Sequence, residues 1–456
     1  MTRSAAHRYF GVLVAAAARV RGNSPMASKV SSVKGFRDVL PAEARARRRL
    51  LGAATAVLER YGYQEIELPL LERGELFARS VGATSDIVEK EMYAFEDRDG
   101  TLIALRPEGT ASVVRAYLEA GLNRSQPVAR LYYQGPMFRR ERPQKGRYRQ
   151  FTQIGAELMG RDDPQSDAET LCLVADICRE AGLGAIRIDI NSLGDSACRP
   201  AYREALAAFA RSRLHSLCED CRNRIDRNPL RILDCKNPSC RAATTDAPMM
   251  VDFLCAPCAA HREEVLRLVG DADVTIVENP RMVRGLDYYC RTAFEISAPG
   301  LGAQDAIGGG GRYDGLVAEL GGPEVPCIGF AFGVERMLMA AEAAGTVDAS
   351  PAKPELFIAP ITEAAGSVAL NLARRLRGAG RVVELGPADR KLKAQMKLAD
   401  RAGARWVVII GEEELARGRA NVRDLVARAD YADCVDITAD GETIVRAIER
   451  MAPGEA

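Results

Sequence analysis

The segment from Phe138 to Glu157, FRRERPQKGRYRQFTQIGAE, joins a dense cluster of positive charge to the alternating pattern of a β-strand. Five arginines and one lysine lie in its first twelve residues. The preceding residues, VARLYYQGPMF, also have strand character, so the sequence predicts two antiparallel strands joined by a long basic loop. Residues an even number of positions apart share a strand face, which places Gln153 and Glu157 on one side.

The arginines of this hairpin are candidates for binding phosphate. We expect Arg139 on the outgoing strand, and Arg147 and Arg149 at the end of the loop and on the returning strand, projecting onto one face. Guanidinium groups bind phosphate oxygens through paired hydrogen bonds. The chain has neither a GxxxxGK[ST] nor a GxGxxG motif, so side chains would have to hold a nucleotide. The alternatives are a solvated basic hairpin and an RNA-contacting loop.

Length and charge limit the classes of protein that remain. The 456 residues suffice for about three domains. The formal net charge is +1, so any nucleic-acid-binding surface must be local. No apolar run approaches the ~20 residues that span a bilayer, and we expect no membrane partner and a cytoplasmic location.

The first 25 residues are excluded from the fold prediction. They contain four arginines and no acidic residue, which is typical of an organellar transit peptide. Their short apolar run FGVLVAAAA resembles the core of a secretory signal. A start codon wrongly chosen upstream of Met26 and a natural tail are the other interpretations.

Strand and helix patterns divide the remaining chain into four parts. Strands and helices alternate over residues 26–194 and again over 276–350. Residues 195–275 are helical, rich in arginine and cysteine, and without a clear strand, as expected of an insertion. Residues 354–456 alternate strands and helices as a separate α/β domain of about 100 residues. The predicted fold class is α/β (α+β).

Two further segments carry candidate site residues near strand ends. LRPEGT places Glu108 after a strand, and RGLDYYCRTAFE brings Arg284, Asp287, Tyr288 and Tyr289 to another. Arginines, buried carboxylates and a tyrosine on one sheet face would suit an amino acid together with ATP. Taken singly, each residue could equally form a structural salt bridge.

The histidines argue against general-base catalysis at these segments. The chain has three, His7, His215 and His261, and none lies within them. No serine or cysteine nucleophile is framed by a base either. Adenylate formation needs neither, because the substrate carboxylate is the nucleophile and the protein positions and neutralises the phosphate.

Together these segments resemble the histidyl-tRNA synthetase family of class II aminoacyl-tRNA synthetases, in its bacterial type. YGYQEIELPLLE is similar to motif 1 of the class, FRRERPQKGRYRQFTQIGAE to motif 2 and IGFAFGVERML to motif 3. LRPEGT, RGLDYYCRTAFE and GGGGRYDGL are similar to the histidine-specific signatures. The resemblance extends from Lys34 to about Asp424.

The resemblance implies an antiparallel-sheet catalytic core with a helical insertion, followed by an anticodon-binding α/β domain. It implies ATP-dependent ligation of L-histidine to the 3′ end of tRNA(His) through a histidyl-adenylate, with Mg²⁺ accompanying ATP and release of AMP and diphosphate. Similarity to motif 1 implies a homodimer, and Pro69 indicates an edge or interface position. The alternative is a non-catalytic regulatory paralogue, either the regulatory subunit of ATP phosphoribosyltransferase or a tRNA-sensing domain.

The resemblance also implies a role for each matched residue. Arg139 would contact the α-phosphate and the histidine carboxylate, with Arg284 opposite it. Arg147 and Arg336 would hold the triphosphate, and Arg336 would also stack on adenine. The residues expected to bind histidine are Glu108, Thr110 and Gln153 at the ammonium group, and Glu157, Tyr288, Tyr289 and Tyr313 at or near the imidazole.

The cysteines of the insertion suggest a metal site. Two CxxC pairs have a spacing like that of a zinc ribbon. The predicted zinc ligands are Cys218, Cys221, Cys255 and Cys258, with Cys235, Cys240 and His261 as substitutes. The alternative is that free cysteines pack as small apolar side chains.

A basic stripe lies on a predicted helix of the last domain. DRKLKAQMKLADRAGA places Leu392, Met396 and Ala399 on one face. The opposite face carries the residues expected from the resemblance to contact tRNA, which are Arg390, Lys393, Lys397 and Arg401. A solvated helix face is the alternative.

Overall fold

The computed structural model describes residues 30–80, 82, 87–284, 288–302, 305–348, 350, 353–388 and 390–451. The extension predicted at 1–25 and Asp287 of the RGLDYY segment lie outside the described residues. The chain divides between Ala349 and Ser350 into two compact units. Among the described helices, none is long and apolar enough to cross a bilayer.

The first unit opens with an amphipathic helix. Helix α1 begins at Pro41, where a missing backbone N–H costs nothing, and buries Leu50, Ala54 and Val57 at helical spacing. The elements up to the insertion are α1 (Pro41–Arg60), β1 (Gln64–Glu65), β2 (Leu71–Arg73), α2 (Gly74–Ser80), a π-helical turn (Ile87–Glu91), β3 (Tyr93–Glu96), β4 (Leu102–Leu105), α3 (Thr110–Glu119), α4 (Leu122–Ser125), β5 (Ala129–Phe138), β6 (Gln150–Met159), α5 (Pro164–Glu180) and β7 (Arg187–Ser192).

The alternation of Ile66, Leu68 and Leu70 in QEIELPLLE predicts a single strand, and this prediction is wrong. Strands β1 and β2 are separate and belong to different sheets. Pro69 lies between them and has no N–H to donate to a ladder. The buried guanidinium of Arg106 holds this bend, donating to the carbonyls of Leu68 at 2.7 Å and Pro136 at 2.9 Å.

Residues 195–275 of the insertion are all described, and every regular element among them is helical, as the composition predicts. Its short elements pack around two small clusters of buried side chains, one near Tyr202 and one near Ile225. The elements are α6 (Arg199–Arg211), a 3₁₀ turn (Leu214–Ser216), α7 (Glu219–Arg227), a 3₁₀ turn (Pro229–Ile232), α8 (Pro238–Ala243), a 3₁₀ turn (Met250–Phe253) and α9 (Ala256–Asp271).

The chain then returns to the main sheet. The remaining elements of this unit are β8 (Ile276–Glu278), β9 (Cys290–Ser297), β10 (Ala306–Arg312), α10 (Leu316–Glu319), β11 (Cys327–Gly333) and α11 (Val334–Ala343). Strand β10 contains the GGGG run, which periodicity alone did not identify as a strand. A side chain at Gly310 would collide with the Gly329 carbonyl oxygen on β11, so close strand approach requires glycine there.

The main sheet has eight strands in the order β1-β5-β6-β11-β10-β9-β7-β8. Its six central strands are antiparallel, and the edge strands β1 and β8 pair in parallel. The predicted β5–β6 hairpin is confirmed, with Phe138 opposite Gln150. Side chains from α1, α5, α9 and α11 form the core under one face, including Leu58, Leu171 and Val269. Strands β2, β4 and β3 form a separate small sheet.

The second unit is an α/β domain, as predicted. Its sheet has the order β13-β12-β14-β15-β16, parallel in β13, β12 and β14 and antiparallel beyond. Between WVVIIG and the last helix, the charged residues predict a turn region, but this segment contains a helix and two strands instead. The elements are β12 (Leu356–Pro360), α12 (Ala365–Gly378), β13 (Val383–Leu385), α13 (Leu392–Ala402), β14 (Trp406–Ile410), α14 (Glu412–Arg417), β15 (Arg419–Asp424), β16 (Ala429–Asp436) and α15 (Gly441–Glu449).

Candidate active site

A cavity of about 580 Å³ opens on the face of the main sheet that the core helices leave uncovered. The sequence-predicted residues that line it are Glu108, Thr110, Arg139, Arg147, Gln153, Arg284, Tyr288, Tyr289, Tyr313 and Arg336. Glu157 lies directly behind Thr110 and Tyr313, with no exposed surface. The predicted active-site residues therefore converge on one cavity.

Glycines give the cavity its depth. A methyl group at Gly329 would collide with the Glu157 carboxylate, and one at Gly309 would lie 2.6 Å from an Arg284 nitrogen. Both glycines lie on strands that form the floor, β11 and β10. Because glycine has no side chain, the strand backbone at these two positions can lie close to a bound ligand.

Glu108 is held at the start of helix α3. Its carboxylate accepts hydrogen bonds from the backbone N–H groups of Thr110 at 2.7 Å and Ala111 at 3.0 Å. These donors satisfy part of the helix N-terminus and fix the carboxylate in the cavity wall. Burial raises the pKa of Glu108, and the two backbone N–H groups partly oppose that rise. A carboxylate in this setting is suited to receiving a substrate ammonium group.

Glu157 is the most deeply buried acid of the site. Thr110 Oγ1 donates to one of its oxygens at 2.7 Å, and the Tyr313 hydroxyl donates to the other. Burial raises the pKa of Glu157 to about 8, while these two hydrogen bonds act in the opposite direction. A carboxyl group with this pKa exchanges a proton near neutral pH, which suits an imidazole partner.

Three tyrosines and one amide complete this end of the cavity. The rings of Tyr288 and Tyr289 lie 4.7 Å apart between centroids, and Tyr288 meets Tyr313 edge-on at 5.6 Å. Such packing helps to fix the rings, and the hydrogen bond from Tyr313 to Glu157 adds to it. Within the described residues, the buried Gln153 Oε1 has no hydrogen-bond partner. A buried acceptor left unsatisfied in this position is a candidate ligand contact.

The arginines of the basic segment lie in the loop, not on the strands. Strand β5 ends at Phe138 and β6 begins at Gln150, so the expected strand alternation of Arg139, Arg147 and Arg149 is wrong. The loop instead folds back on itself, with Arg139 and Arg149 joined through a backbone hydrogen bond. This arrangement still directs Arg139 and Arg147 into the cavity.

Carboxylates accompany the arginines at this end of the cavity. Glu141 lies 3.2 Å from an Arg147 nitrogen and 3.9 Å from an Arg139 nitrogen. Arg139 Nε donates to the Pro107 carbonyl at 2.8 Å, which orients its guanidinium. The positive charge is therefore held in place before any phosphate arrives.

Arg284 and Arg336 approach from the other strands. Arg284 donates to Glu295 of β9, and within the described residues its buried Nε has no partner. Arg336 donates from Nε to the Ala306 carbonyl at the start of β10. Burial lowers the pKa of Arg336, and the nearby charge of Arg147 lowers it further. Several guanidinium groups thus face one volume, as a polyanionic ligand requires.

Some cavity residues were missed by the sequence prediction. Tyr133 of β5 lines the cavity, and its ring occupies the space above Gly109 and Gly155. Asp234 and Arg241 come from the insertion and form part of the same wall. The alternation of buried residues along β5 could have identified Tyr133 as a residue of the site. No local sequence pattern indicated that insertion residues reach the cavity.

The four predicted zinc ligands do not form one site. Cys218 and Cys221 gather with Cys235 and Cys240, whereas Cys255 and Cys258 gather with Asp195 and Cys198. The zinc-ribbon pairing of the two CxxC motifs is therefore wrong, because α7, α8 and two 3₁₀ turns separate them in the chain. His261, a predicted substitute ligand, is hydrogen-bonded to Asp167 instead. Both groups have donors of a kind that bind metal.

Helix α13 of the second unit carries the predicted basic stripe on its surface. Lys393, Lys397 and Arg401 are exposed, and Arg390 precedes the helix. Leu392, predicted on the apolar face, is 38% exposed. Gln395 is buried in that region instead, and its amide donates to the Pro360 and Pro387 carbonyls at 2.7 and 2.6 Å. The amide nitrogen is therefore satisfied, whereas Oε1 has no hydrogen-bond partner within the described residues. A hydrophobic pattern does not detect a buried amide of this kind.

The antiparallel sheet with arginines, carboxylates and tyrosines on its open face defines the catalytic unit of a class II aminoacyl-tRNA synthetase. The family description "Histidyl-tRNA synthetase" matches residues 35–337, and "Anticodon binding domain" matches residues 355–439. The chain belongs to the histidyl-tRNA synthetase family.

Individual relatives agree with this assignment. The histidine–tRNA ligase of Syntrophotalea carbinolica is 48% identical over 87% of this chain and 94% of its own length. That of Geobacter sulfurreducens is 50% identical over 86% and 94%. The apo crystal structure of S. aureus histidyl-tRNA synthetase superimposes with a TM-score of 0.75 at 36% identity, covering 88% of this chain and 97% of its own.

Replacing Glu157 with glutamine should stabilise the protein most at high pH. The folded-state pKa of about 8 lies above the ordinary 4.5, so the wild-type carboxyl stays protonated in the folded state where the unfolded chain has lost that proton. Stability of the wild type then falls as pH rises between these values, by about 1.4 kcal/mol per pH unit for this group. The Glu157→Gln variant does not show this decline.

Chemical unfolding of both proteins at about pH 5.5 and about pH 8.5 measures the difference. The stability gain of Glu157→Gln should be small at the lower pH and several-fold larger at the higher. Gln153→Asn, a neutral change on the same strand, is the control and should show no such trend. A gain that does not change with pH would mean that Glu157 is already ionised across this range.

Proposed function

We propose that this chain ligates L-histidine to the 3′ end of tRNA(His), using ATP and passing through a histidyl-adenylate with release of AMP and diphosphate. One observation carries the proposal: a single cavity has guanidinium groups at one end and a buried carboxyl–tyrosine cluster at the other. The first suits a triphosphate, and the second suits an imidazole. The family of the chain gives the same activity.

In the first step, a carboxylate oxygen of histidine attacks the α-phosphorus of ATP. The new C–O–P bond forms as the bond from the α-phosphorus to the bridging oxygen of diphosphate breaks, and diphosphate leaves with that electron pair. Arg139 and Arg284 stabilise the charge that develops on the α-phosphate oxygens. Both lie in the cavity wall with one guanidinium nitrogen already oriented by a protein acceptor.

Histidine is selected by buried polar groups that can form further hydrogen bonds with it. Glu108, Thr110 and Gln153 receive the ammonium group, and Glu157 with Tyr289 receives the imidazole. An apolar amino acid of similar shape would leave the buried Glu157 carboxyl without the ring partner, which makes rejection strong. The site therefore discriminates at the binding step. Tyr288 and Tyr313 hold the aromatic wall around the ring.

ATP enters with Mg²⁺, and the cavity offers acceptable oxygen donors. Glu141 and Glu295 are carboxylates on the cavity wall next to the arginines. Mg²⁺ prefers carboxylate and phosphate oxygens and keeps several waters, so these residues fit a magnesium–ATP complex. Bound Mg²⁺ would neutralise phosphate charge. Arg147 and Arg336 hold the β- and γ-phosphates.

In the second step, a hydroxyl of the terminal ribose of tRNA attacks the acyl carbon, and its proton passes to a phosphate oxygen of the adenylate. AMP leaves with the electron pair of the broken C–O bond. We assign the core to residues 26–194 and 276–350, the insertion to 195–275 and anticodon binding to 354–456. The exposed basic face of α13 is the surface that contacts the tRNA backbone. We place the reaction in the cytoplasm, because tRNA is charged where translation uses it.

A regulatory paralogue without catalysis is the competing function. Such a protein would keep the fold but would not need a complete set of arginines and carboxylates around the cavity. Here Glu108, Arg139, Arg284 and Arg336 all lie at the cavity. This completeness favours the enzyme.

Histidine-dependent ATP–diphosphate exchange tests the proposal directly. Purified protein should catalyse exchange with histidine and with none of the other standard amino acids. Arg139→Gln and Arg284→Gln should each lower kcat by about 10²–10³-fold, because each removes a donor to the transition state. Arg142→Gln, an exposed change in the same loop, should stay within about twofold of wild type. Folded protein without exchange for any amino acid would favour the regulatory paralogue.

Charge reversal on α13 should weaken tRNA binding and spare the adenylation chemistry. In Lys393→Glu/Lys397→Glu, the KM for tRNA should rise at least tenfold. The slope of the logarithm of tRNA affinity against the logarithm of salt concentration should fall by about one for each phosphate that the variant no longer neutralises. Diphosphate exchange should be unchanged.

The matched control for this charge reversal is Arg374→Glu. Arg374 is exposed on α12, which packs against the opposite face of the sheet from α13. An equal effect of both changes would mean that the unit responds to overall charge and not to a basic face on α13.

We propose further that the protein is a homodimer through the small β2–β4–β3 sheet. Strand register places Leu71, Phe95 and Ile103 on one face of that sheet. Leu71 is 46% exposed and Phe95 48% exposed. Arg73, opposite Ile103 on β2, is the charged residue of this face. A strand face that is otherwise apolar is typical of a protein interface, and a second copy would cover it.

Light scattering on Phe95→Arg tests the dimer. Wild-type protein should have twice the mass of the chain, and Phe95→Arg should shift the mass toward that of a monomer, because it places charge in the apolar contact. Leu370→Arg changes another exposed apolar residue, on α12, and should remain dimeric. A monomeric wild type at micromolar concentration would contradict the proposal.

A further inference from the structure

The insertion gathers its polarisable side chains into two compact groups. The first group consists of Cys218, Cys221, Cys235 and Cys240, and the second of Asp195, Cys198, Cys255 and Cys258. In each group all four donor atoms lie within 4.8 Å of one another. Neither group includes a residue proposed to bind substrate or take part in catalysis, so the catalytic function does not explain why these groups form.

We propose that each group binds one zinc ion: the first through four thiolates, the second through three thiolates and the Asp195 carboxylate. Zinc takes four ligands in a tetrahedron and accepts sulfur and carboxylate oxygen. The sequence also supplies a CxxC pair to each group, which places two ligands on one turn. We name these the distal and basal zinc sites, respectively.

The distances between donors match a tetrahedron around zinc. Zn–S bonds of about 2.3 Å place neighbouring sulfurs about 3.8 Å apart. The Cys218 and Cys235 sulfurs are 3.9 Å apart, and those of Cys198 and Cys258 are 4.0 Å apart. A disulfide requires about 2.05 Å, so the groups are not arranged as two cross-links.

Sulfur–oxygen distances in the basal site agree as well. A zinc ion with one Zn–O bond and one Zn–S bond places these two atoms about 3.6 Å apart. Asp195 Oδ1 lies 3.4 Å from the Cys198 sulfur and 3.8 Å from the Cys255 sulfur. The carboxylate thus occupies the fourth corner that a cysteine fills in the distal site.

Backbone donors point at the sulfurs. Cys218 N–H donates to the Cys240 sulfur at 3.1 Å, and Asp195 N–H donates to the Cys198 sulfur at 3.2 Å. Hydrogen bonds to sulfur stabilise the thiolate and orient it as a ligand. A cysteine that only fills an apolar gap has no use for such a donor.

The metal would supply the stability that these short elements lack. Helix α8 has six residues, and the buried cluster around the distal site is small. Helices this short are marginal without tertiary support, and metal binding to thiolates provides folding free energy directly. The basal site joins the start of the insertion, at Asp195 and Cys198, to the first turn of its return helix α9, at Cys255 and Cys258.

The distal site also supports one wall of the catalytic cavity. Asp234 precedes ligand Cys235, Arg241 follows ligand Cys240, and both side chains line the cavity. Arg281, another lining residue, donates to the Thr244 carbonyl at 2.6 Å just after α8. An ion in the distal site would therefore fix the position of residues that face the substrates.

Metal content of the full chain tests the proposal without reference to its activity. The protein is purified under reducing conditions without chelator and analysed for zinc and iron by mass spectrometry. Two zinc ions per chain are expected. Less than a fifth of an equivalent, with no uptake when zinc is supplied to the reduced protein, would overturn the proposal, as would iron in place of zinc.

Single variants assign the ions to their sites. Cys240→Ser and Cys258→Ser should each retain one zinc ion, and Cys172→Ser, a half-buried cysteine of α5, should retain both. Loss of both ions in each ligand variant with native helical content would overturn independent sites. Retention of both in either ligand variant would overturn its ligand assignment.

A second measurement needs no variant and covers the case in which a variant does not fold. Cobalt(II) replaces zinc in the wild-type chain, and the absorption spectrum reports its geometry. Intense ligand-field and thiolate charge-transfer bands from two tetrahedral ions are expected. Weak bands of octahedral cobalt, without thiolate charge transfer, would overturn both sites.

Discussion

The first unit depends on a buried ion pair between Arg312 and Asp167, neither of which has any exposed side-chain surface. Arg312 ends strand β10, and its guanidinium also donates to Ser166 at 2.9 Å and Asp314 at 3.0 Å. Asp167 lies on α5 and is hydrogen-bonded to His261 of α9 at 2.8 Å. Burial alone would raise the pKa of Asp167, but His261 and Arg312 hold it below its usual value. Removing one partner from such a pair costs about 3–5 kcal/mol.

This ion pair connects the sheet, the core helix and the insertion to the substrate site. Tyr313 follows Arg312 directly, and its hydroxyl is the donor that meets Glu157. The end of the cavity that we propose for the imidazole therefore lies between the hydrogen-bonded Arg312–Asp167 ion pair and the buried carboxyl group of Glu157. Arg312 places a positive charge beside Asp167 and His261 adds a hydrogen bond, whereas Glu157 has only hydroxyl donors and a pKa of about 8. The first unit thus contains one buried carboxyl group, Asp167, with a lowered pKa and another, Glu157, with a pKa that permits proton exchange near neutral pH.

Local patterns predicted most strands and the candidate site residues, but not how distant segments meet. The β5–β6 hairpin, helix α1 and the even spacing of Gln153 and Glu157 follow from periodicity. Periodicity did not predict strand β10, because its glycines are required by the close approach of neighbouring backbone and do not follow strand propensity. The sequence also did not predict which cysteines gather together. Asp195 gave no signal as a ligand, and only tertiary packing separates the cysteines into two groups. The contribution of Asp234 and Arg241 to the cavity depends on that same packing.

The positive end of the cavity shows how a site for a polyanion can exist without its ligand. Arg147 is paired with Glu141, and Arg284 with Glu295, so these guanidiniums are not left as isolated charges. In the proposed reaction, the phosphates of ATP would take over the guanidinium contacts, and Glu141 and Glu295 would be available to hold Mg²⁺, which would neutralise phosphate charge. The exchange preserves the number of charge pairs, so it avoids the desolvation cost of burying an unpaired charge. The carboxylates thus hold the guanidinium groups in position before ATP binds and can give them up to the phosphates. This is the preorganisation that adenylate formation requires.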